Sequence, residues 1–262
     1  MICHFVVKQK RGFMEYQLEA FYKDLDELSL KLNETQIRQF EMYYELLTEW
    51  NSFMNLTAIT EFDEVCKKHF IDSLSLIKAK DEILSIVGKD LGEDDLSMID
   101  VGTGAGFPGI PLKIVFQKWE VTLLDSLGKR VKFLNEVIGK LGLEKISAFH
   151  GRAEDFAVKE DYREAFDLCT SRAVANMSTL SEYCIPFVKQ DGLFIAYKSE
   201  KVTEELAEAN NAVTLLGGKV MGQIDYRLPN SDIYRNLVLI RKEKDTPKKY
   251  PRKAGLPSKE PL

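Results

Sequence analysis

The sequence has little that would hold a metal or cross-link a chain. Its four cysteines, Cys3, Cys66, Cys169 and Cys184, are far apart, with no CxxC pair and no histidine at zinc-ligand spacing. They read as reduced thiols of a cytoplasmic protein, and no structural metal is expected. No apolar run reaches the roughly 18 residues that a membrane span needs, so no membrane partner is expected. The opening MICHFVVKQKRGF runs apolar then basic, the reverse of a signal peptide. Met14 begins a helical pattern, so residues 1–13 are expected to be an extension outside the fold.

What is present is ordinary for a globular chain: 262 residues, 45% hydrophobic and 29% charged. That length suits one α/β domain with an appendage, able to bury a large core unaided. The net charge of −5 argues weakly against nucleic acid, but its distribution is uneven. From Arg241 to Leu262 there are eight basic residues and three acids, so this stretch carries +5 and the remainder −10. Such a segment is either an electrostatic handle for a polyanion or a solvated, disordered terminus.

Residues 14–90 read as helices. Leu18, Phe21, Leu25 and Leu28 recur at helical spacing. Asn33 with Gln36 has the form of a capping box, and Ile37, Phe40, Tyr44 and Leu47 follow on one face. Asn51–Thr60 reads as a polar break, with Thr60 capping a third helix that carries Val65, His69, Leu74 and Ile77. Past an acidic loop the pattern alternates. Strands are expected at Ser97–Val101, Trp119–Asp125, Ile146–His150, Phe166–Ser171 and Gly192–Lys198. Helices are expected at Pro108–Phe116, Lys129–Leu141, Met177–Val188 and Lys201–Leu215. Two final strands, Lys219–Leu228 and Asn236–Arg241, have no helix between them. Repeated βα units demand a parallel sheet covered on both faces, and a closing hairpin makes one strand antiparallel. The expected fold is therefore a seven-stranded, class I Rossmann-like methyltransferase sheet, preceded by an N-terminal helical extension (14–90). The core domain spans 91–242 and a basic tail 243–262. A dehydrogenase sheet would be all parallel.

Chemistry concentrates after the first strand. Gly102, Gly104, Gly106 and Gly109 fall within eight residues, letting the chain turn and a ligand approach its backbone. Pro108 suits the first turn of the next helix, whose N-terminus favours a negative group. Gly104–Gly109 also satisfies GxGxxG, a weak match alone that keeps a nicotinamide cofactor open. Asp125 ends the second strand, where an acid accepts from ribose hydroxyls in either cofactor class and repels a 2′-phosphate. After the third strand, His150–Asp155 (HGRAED) is placed to line an adenine, although without the other elements Glu154 and Asp155 read as a solvated loop. Together these features point to an adenosine cofactor without deciding between methyl and hydride transfer.

Five segments, DVGTGAGFPGIPL, LLDSLGKRVKFL, GRAED, SRAV and the terminal KKYPRKAGLPSKEPL, resemble the RsmG (GidB) family, as do NLTAI at 55–59 and HFIDSL at 69–74. The resemblance covers nearly the whole chain from Met14. It implies S-adenosylmethionine-dependent methylation of guanosine N7 in 16S ribosomal RNA near the decoding centre, on free rRNA or a small-subunit particle. By motif position it implies cofactor contacts at Gly102, Phe107, Ala153, Glu154 and Arg172, to which the glycine turn and the strand-end acid add Gly104 and Asp125. Arg172 is also placed to meet the RNA, with a structural salt bridge as its alternative. Lys248, Lys249, Arg252 and Lys253 are the RNA-binding candidates of the tail, where Tyr250 either stacks on a base or packs on the core. N7 carries a free lone pair, so no general base is assigned, and His69 is read as packing or RNA-orienting. No Asn/Asp-Pro-Pro-aromatic motif for exocyclic amines and no Pro-Cys nucleophile for a pyrimidine carbon occurs. A monomer is expected. The alternatives are an NAD-dependent oxidoreductase and a non-catalytic RNA-binding protein.

Overall fold

A computed structural model describes residues 16–172, 175–199 and 202–262. The expected extension at 1–13, Met14, Ala173 and Val174 of SRAV, and the helix start at Lys201 lie outside the described residues. Helix α1 (Glu19–Glu27) and helix α2 (Glu34–Met54) lead the chain. Asn33 caps α2 through the reciprocal bonds of a capping box with Gln36. Helix α2 runs on into the expected polar break. It stops at Asn55, which takes the left-handed conformation that asparagine tolerates. Tyr43, not Tyr44, is its fully buried tyrosine. Tyr43 packs on Phe70 and Phe107, whereas Tyr44 packs at the edge against Phe62.

The third helix is not continuous. It begins as α3 (Phe62–Val65) without a side-chain cap from Thr60, passes through a π turn at Cys66–Ile71, and resumes as α4 (Asp72–Leu74). π turns of this kind recur at functional sites, and this one carries His69. A 3₁₀ turn leads on to α5 (Lys80–Val87).

The sheet then forms as β1 (Ser97–Val101), β2 (Glu120–Asp125), β3 (Ile146–His150), β4 (Phe166–Ser171), β5 (Val188–Lys198), β6 (Gly218–Arg227) and β7 (Tyr234–Lys242). Between the strands lie α6 (Gly109–Val115), α7 (Gly128–Leu141), α8 (Ala153–Phe156), α9 (Met177–Cys184) and α10 (Thr203–Leu215), and α11 (Leu256–Lys259) follows β7. Pro108 sits one position before α6 as its N-cap. Helix α9 ends earlier than expected and β5 starts earlier. Pro186 lacks the N–H that a continuing helix needs, so a 3₁₀ turn replaces it. Strand order is β3-β2-β1-β4-β5-β7-β6, with β7 antiparallel to both neighbours and the other pairs parallel. This is the expected seven-stranded sheet with one antiparallel strand.

One apolar cluster joins Phe21, Phe40, Tyr43 and Phe70 of the leading helices to Met98, Ile110 and Leu123 of the sheet and its cover. A second, with Ile99, Leu180, Phe194 and Val213, fills the opposite face. The leading helices therefore help close one face of the sheet. The chain leaves β1 towards β2 on one side and reaches β4 on the other. That reversal opens a crevice at the carboxyl ends of β1 and β4, where open α/β sheets place ligands.

Candidate active site

The crevice holds two adjoining cavities. The first, about 440 Å³, is lined by Gly102, Leu127, Ala153, Glu154, Ser171 and Tyr183 among others. Its floor is the turn after β1. Buried Asp100 ties this turn down: Thr103 Oγ1 and the Gly109 N–H donate to its Oδ2 at 2.6 and 3.0 Å. Burial pushes the Asp100 carboxyl up to about 6, against the downward pull of those bonds. Asp125 holds the same turn from β2, accepting from the N–H groups of Gly104 (2.9 Å) and Leu127 (2.8 Å), with Arg130 at 3.4 Å.

Two glycines differ instructively. Gly106 has φ +99, and a Cβ there would crowd Ile110 and the Tyr43 hydroxyl, so the position serves packing. The Tyr43 hydroxyl reaches across from α2 to donate to Ala105 O at 2.5 Å. Gly104 has φ +63, and a Cβ there would meet nothing within 4 Å. Its bare Cα faces open space, which suits a ligand lying against backbone.

The C-terminal segment supplies part of the opposite wall, through Gly255 and Ser258. The Gly255 N–H donates to Glu154 Oε1 at 2.8 Å. Arg252 pairs with fully buried Glu182 at 2.6 Å. Arg163 donates to the carbonyls of Thr246 and Tyr250 at 2.6 and 2.9 Å, and Tyr250 is buried. The segment thus packs on the core, and Tyr250 takes the packing role. Lys248, Lys249 and Lys253 remain exposed.

The second cavity, about 570 Å³, is lined by Lys68, His69, Asp72, Arg172, Lys198, Glu205 and Arg235 among others, and shares Ala175 with the first. Buried Asp72 divides its oxygens between Arg172 (3.2 Å) and Arg235 (2.9 Å). The Arg172 guanidinium lies 5.0 Å over the Phe107 ring, and His69 stacks on the same ring with centroids 4.6 Å apart. Burial, then the neighbouring Arg172 charge, push His69 down to about 3, so its ring is neutral. Arg172 can only donate to Nδ1, at 3.3 Å, which leaves the proton on Nε2 facing Thr57 Oγ1 at 2.8 Å. His69 is therefore a packed orienter of Arg172.

The expected site residues are thus sorted by the fold. Gly102, Ala153 and Glu154 line the first cavity, Gly104 borders open space, and buried Asp125 fastens the turn. Phe107 is buried against His69 and Arg172, and Arg172 lines the second cavity while also forming a salt bridge. Arg252 is committed to Glu182 and stands apart from the three exposed lysines. Among the described residues no cluster of histidine, cysteine or carboxylate is suited to a metal, and no helix is long and apolar enough to cross a membrane.

A family model described as rRNA small subunit methyltransferase G (GidB) matches residues 36–226. This chain belongs to that family. The Ribosomal RNA small subunit methyltransferase G of Lachnoclostridium phytofermentans is 55% identical over 243 residues, 93% of this chain and 96% of that protein. The protein of the same name from Clostridium perfringens (strain 13) is 49% identical over 249 residues, 95% of this chain and 100% of that one. A solved structure of MtNAS in complex with MTA and tNA superposes with a TM-score of 0.52 at 16% identity, covering 83% of this chain and 76% of that one, and shares the fold. Membership in the family makes this chain a methyltransferase, and the oxidoreductase alternative finds no support.

Several residues of the site give little signal in the sequence. Asp100 is visible there only as an acid near a strand end, although its position three residues before Thr103 is a usable signal. Asp72 lies in the HFIDSL motif without a partner to reveal it. Lys198, Glu205 and Arg235 carry no local signal, because their partners lie on other elements.

Proposed function

We propose that this chain transfers a methyl group from S-adenosylmethionine to N7 of one guanosine in 16S ribosomal RNA near the decoding centre. The observation that carries this reading is the pairing of cavities: a cleft bordered by the glycine turn at Gly102 meets a cationic cavity at Ala175. The cleft's residues fit the cofactor. Open space at Gly104 accommodates a ligand against backbone, Asp125 keeps lone-pair capacity for a ribose hydroxyl, and Glu154 and the Ala153 N–H stand where an adenine edge would be read. When bound, S-adenosylmethionine supplies an activated methyl on a sulfonium.

The residues present do little proton chemistry, and guanine N7 asks for none. His69 stays neutral and holds Arg172 in place. Arg172 and Arg235, fixed by Asp72, supply positive potential for the RNA backbone. Orientation and electrostatics are then the chain's contribution to rate. Lys248, Lys249 and Lys253 extend the cationic surface outward as proposed RNA contacts. Residues 14–90 and 243–262 act as parts of one cytoplasmic, monomeric enzyme acting on free rRNA or a small-subunit particle. The test is mapping of N7-methylguanosine in 16S rRNA from cells with and without the gene. One guanosine is expected to lose its methyl group when the gene is absent. An unchanged pattern overturns the proposal. A non-catalytic RNA-binding role is separated by turnover with purified protein.

A further inference from the structure

The second cavity carries an ion pair to which the proposed methyl transfer gives no task. Lys198, at the end of β5, and Glu205, in the first turn of α10, pair at 2.9 Å on the cavity wall. Both are held by backbone. Lys198 Nζ donates to Ala175 O at 3.0 Å, and Glu205 Oε1 accepts from the Met177 N–H at 2.6 Å. The pair is therefore fixed in position, with Lys198 12% and Glu205 28% exposed. An ammonium has three donors, and two of those on Lys198 are used. Among the described residues both bonds to Glu205 fall on Oε1, which leaves the lone pairs of Oε2 for a ligand.

We infer that Lys198 and Glu205 read the Watson–Crick edge of the target guanine. Resting on the proposed methylation of guanosine, the argument is one of complementarity. The guanine edge presents O6 as acceptor beside N1–H and N2–H as donors. The pair presents an ammonium donor beside a carboxylate acceptor, in matching order. Adenine presents a donor where guanine has O6 and an acceptor where guanine has N1–H, so it would face like against like at both positions. A mismatch of this kind leaves buried polar groups unpaired, which is how protein sites reject close analogues. N7 lies on the other edge of the purine. A base held at Lys198 and Glu205 through O6, N1–H and N2–H therefore keeps N7 clear of their hydrogen bonds. The other carboxylate of the cavity, Asp72, is buried and already neutralised by two guanidiniums, Arg172 and Arg235, which makes it the weaker acceptor.

The test uses the full chain, S-adenosylmethionine and 16S rRNA assembled by ligation, with guanosine or inosine at the mapped target position. Inosine lacks only the N2 amino group. Wild-type kcat/KM is expected to fall about tenfold or more on inosine, the size of one missing hydrogen bond to a charged group. Glu205→Gln is expected to lower the rate on guanosine by at least about tenfold and to shrink the guanosine-to-inosine ratio below about threefold. Cofactor affinity by calorimetry should stay within about twofold, which shows that the variant is folded. Full wild-type activity on inosine overturns the inference whether or not the variant folds. So does a Glu205→Gln enzyme that keeps the wild-type ratio. A wild-type enzyme that leaves guanosine RNA unmethylated overturns the proposed function itself, and this inference with it.

Discussion

The two cavities are built in opposite ways. The first is mostly local: Gly102, the residues at 124–127 and the 151–154 turn lie at or just past the ends of parallel strands. The second is dominated by charged side chains drawn from residues 68 to 235, fixed by ion pairs between separate elements. The contrast suits their proposed tasks. A small cofactor with fixed shape can be held by N–H groups that the sheet positions anyway. An RNA base needs charge and directional side chains, and those must be buried enough to stay put. The cost differs as well, because a buried charge needs its partner while a backbone turn does not.

The largest test of this contrast is Asp72→Ala. It leaves two guanidiniums, Arg172 and Arg235, facing each other without their shared carboxylate. Breaking a buried pair costs about 3–5 kcal/mol, so thermal or denaturant unfolding should show a loss of that order. Cofactor affinity should change far less than RNA turnover. Equal losses of both would join the two cavities into one unit. Arg252→Ala comes next, because the first cavity has one wall that is not local. Glu182 would be stranded with no counter-charge, at about 3 kcal/mol, and Gly255 and Ser258 would lose their anchor. Weaker cofactor binding together with a lower melting temperature is expected. Unchanged binding would show that the C-terminal wall is not needed.

Gly104→Val tests the glycine turn directly. A left-handed position costs an L-residue about 1–2 kcal/mol, so the protein should remain folded by circular dichroism. Cofactor binding by calorimetry should disappear, because the side chain enters the open space. Normal binding would reduce the loop to a turn. Replacing Lys248, Lys249 and Lys253 by Ala should leave stability alone, unlike Arg252. The salt slope of RNA binding should fall by up to about 0.7–0.9 for each phosphate that the variant no longer neutralises. An unchanged slope would confine RNA binding to the second cavity.

The smallest effect concerns pH. Burial raises Asp100 to about 6, above its ordinary 3.8, so the folded chain retains a proton that the unfolded chain releases. Its stabilising contribution is full below about 4 and is lost as pH rises through about 6. The melting temperature of wild type relative to Asp100→Asn should therefore fall from pH 4 to pH 7. A flat difference would mean that Asp100 titrates at its ordinary value.

The sequence by itself determined the alternation of strands and helices, the capping box at Asn33, the glycine turn and the acids at 125 and 154. These depend on periodicity and on residues close together in the chain. Sequence also carried the family resemblance. Only the tertiary structure decided that Tyr43 rather than Tyr44 faces the glycine turn, that a π turn interrupts the third helix at His69, and that Arg252 belongs to Glu182. The same holds for the clamp of Asp72 by Arg172 and Arg235, and for Lys198 meeting Glu205 at the backbone of Ala175 and Met177. The reason is physical. A charge reveals its role through its partner, and these partners are separated by up to 163 residues of chain before the sheet brings them within hydrogen-bond distance.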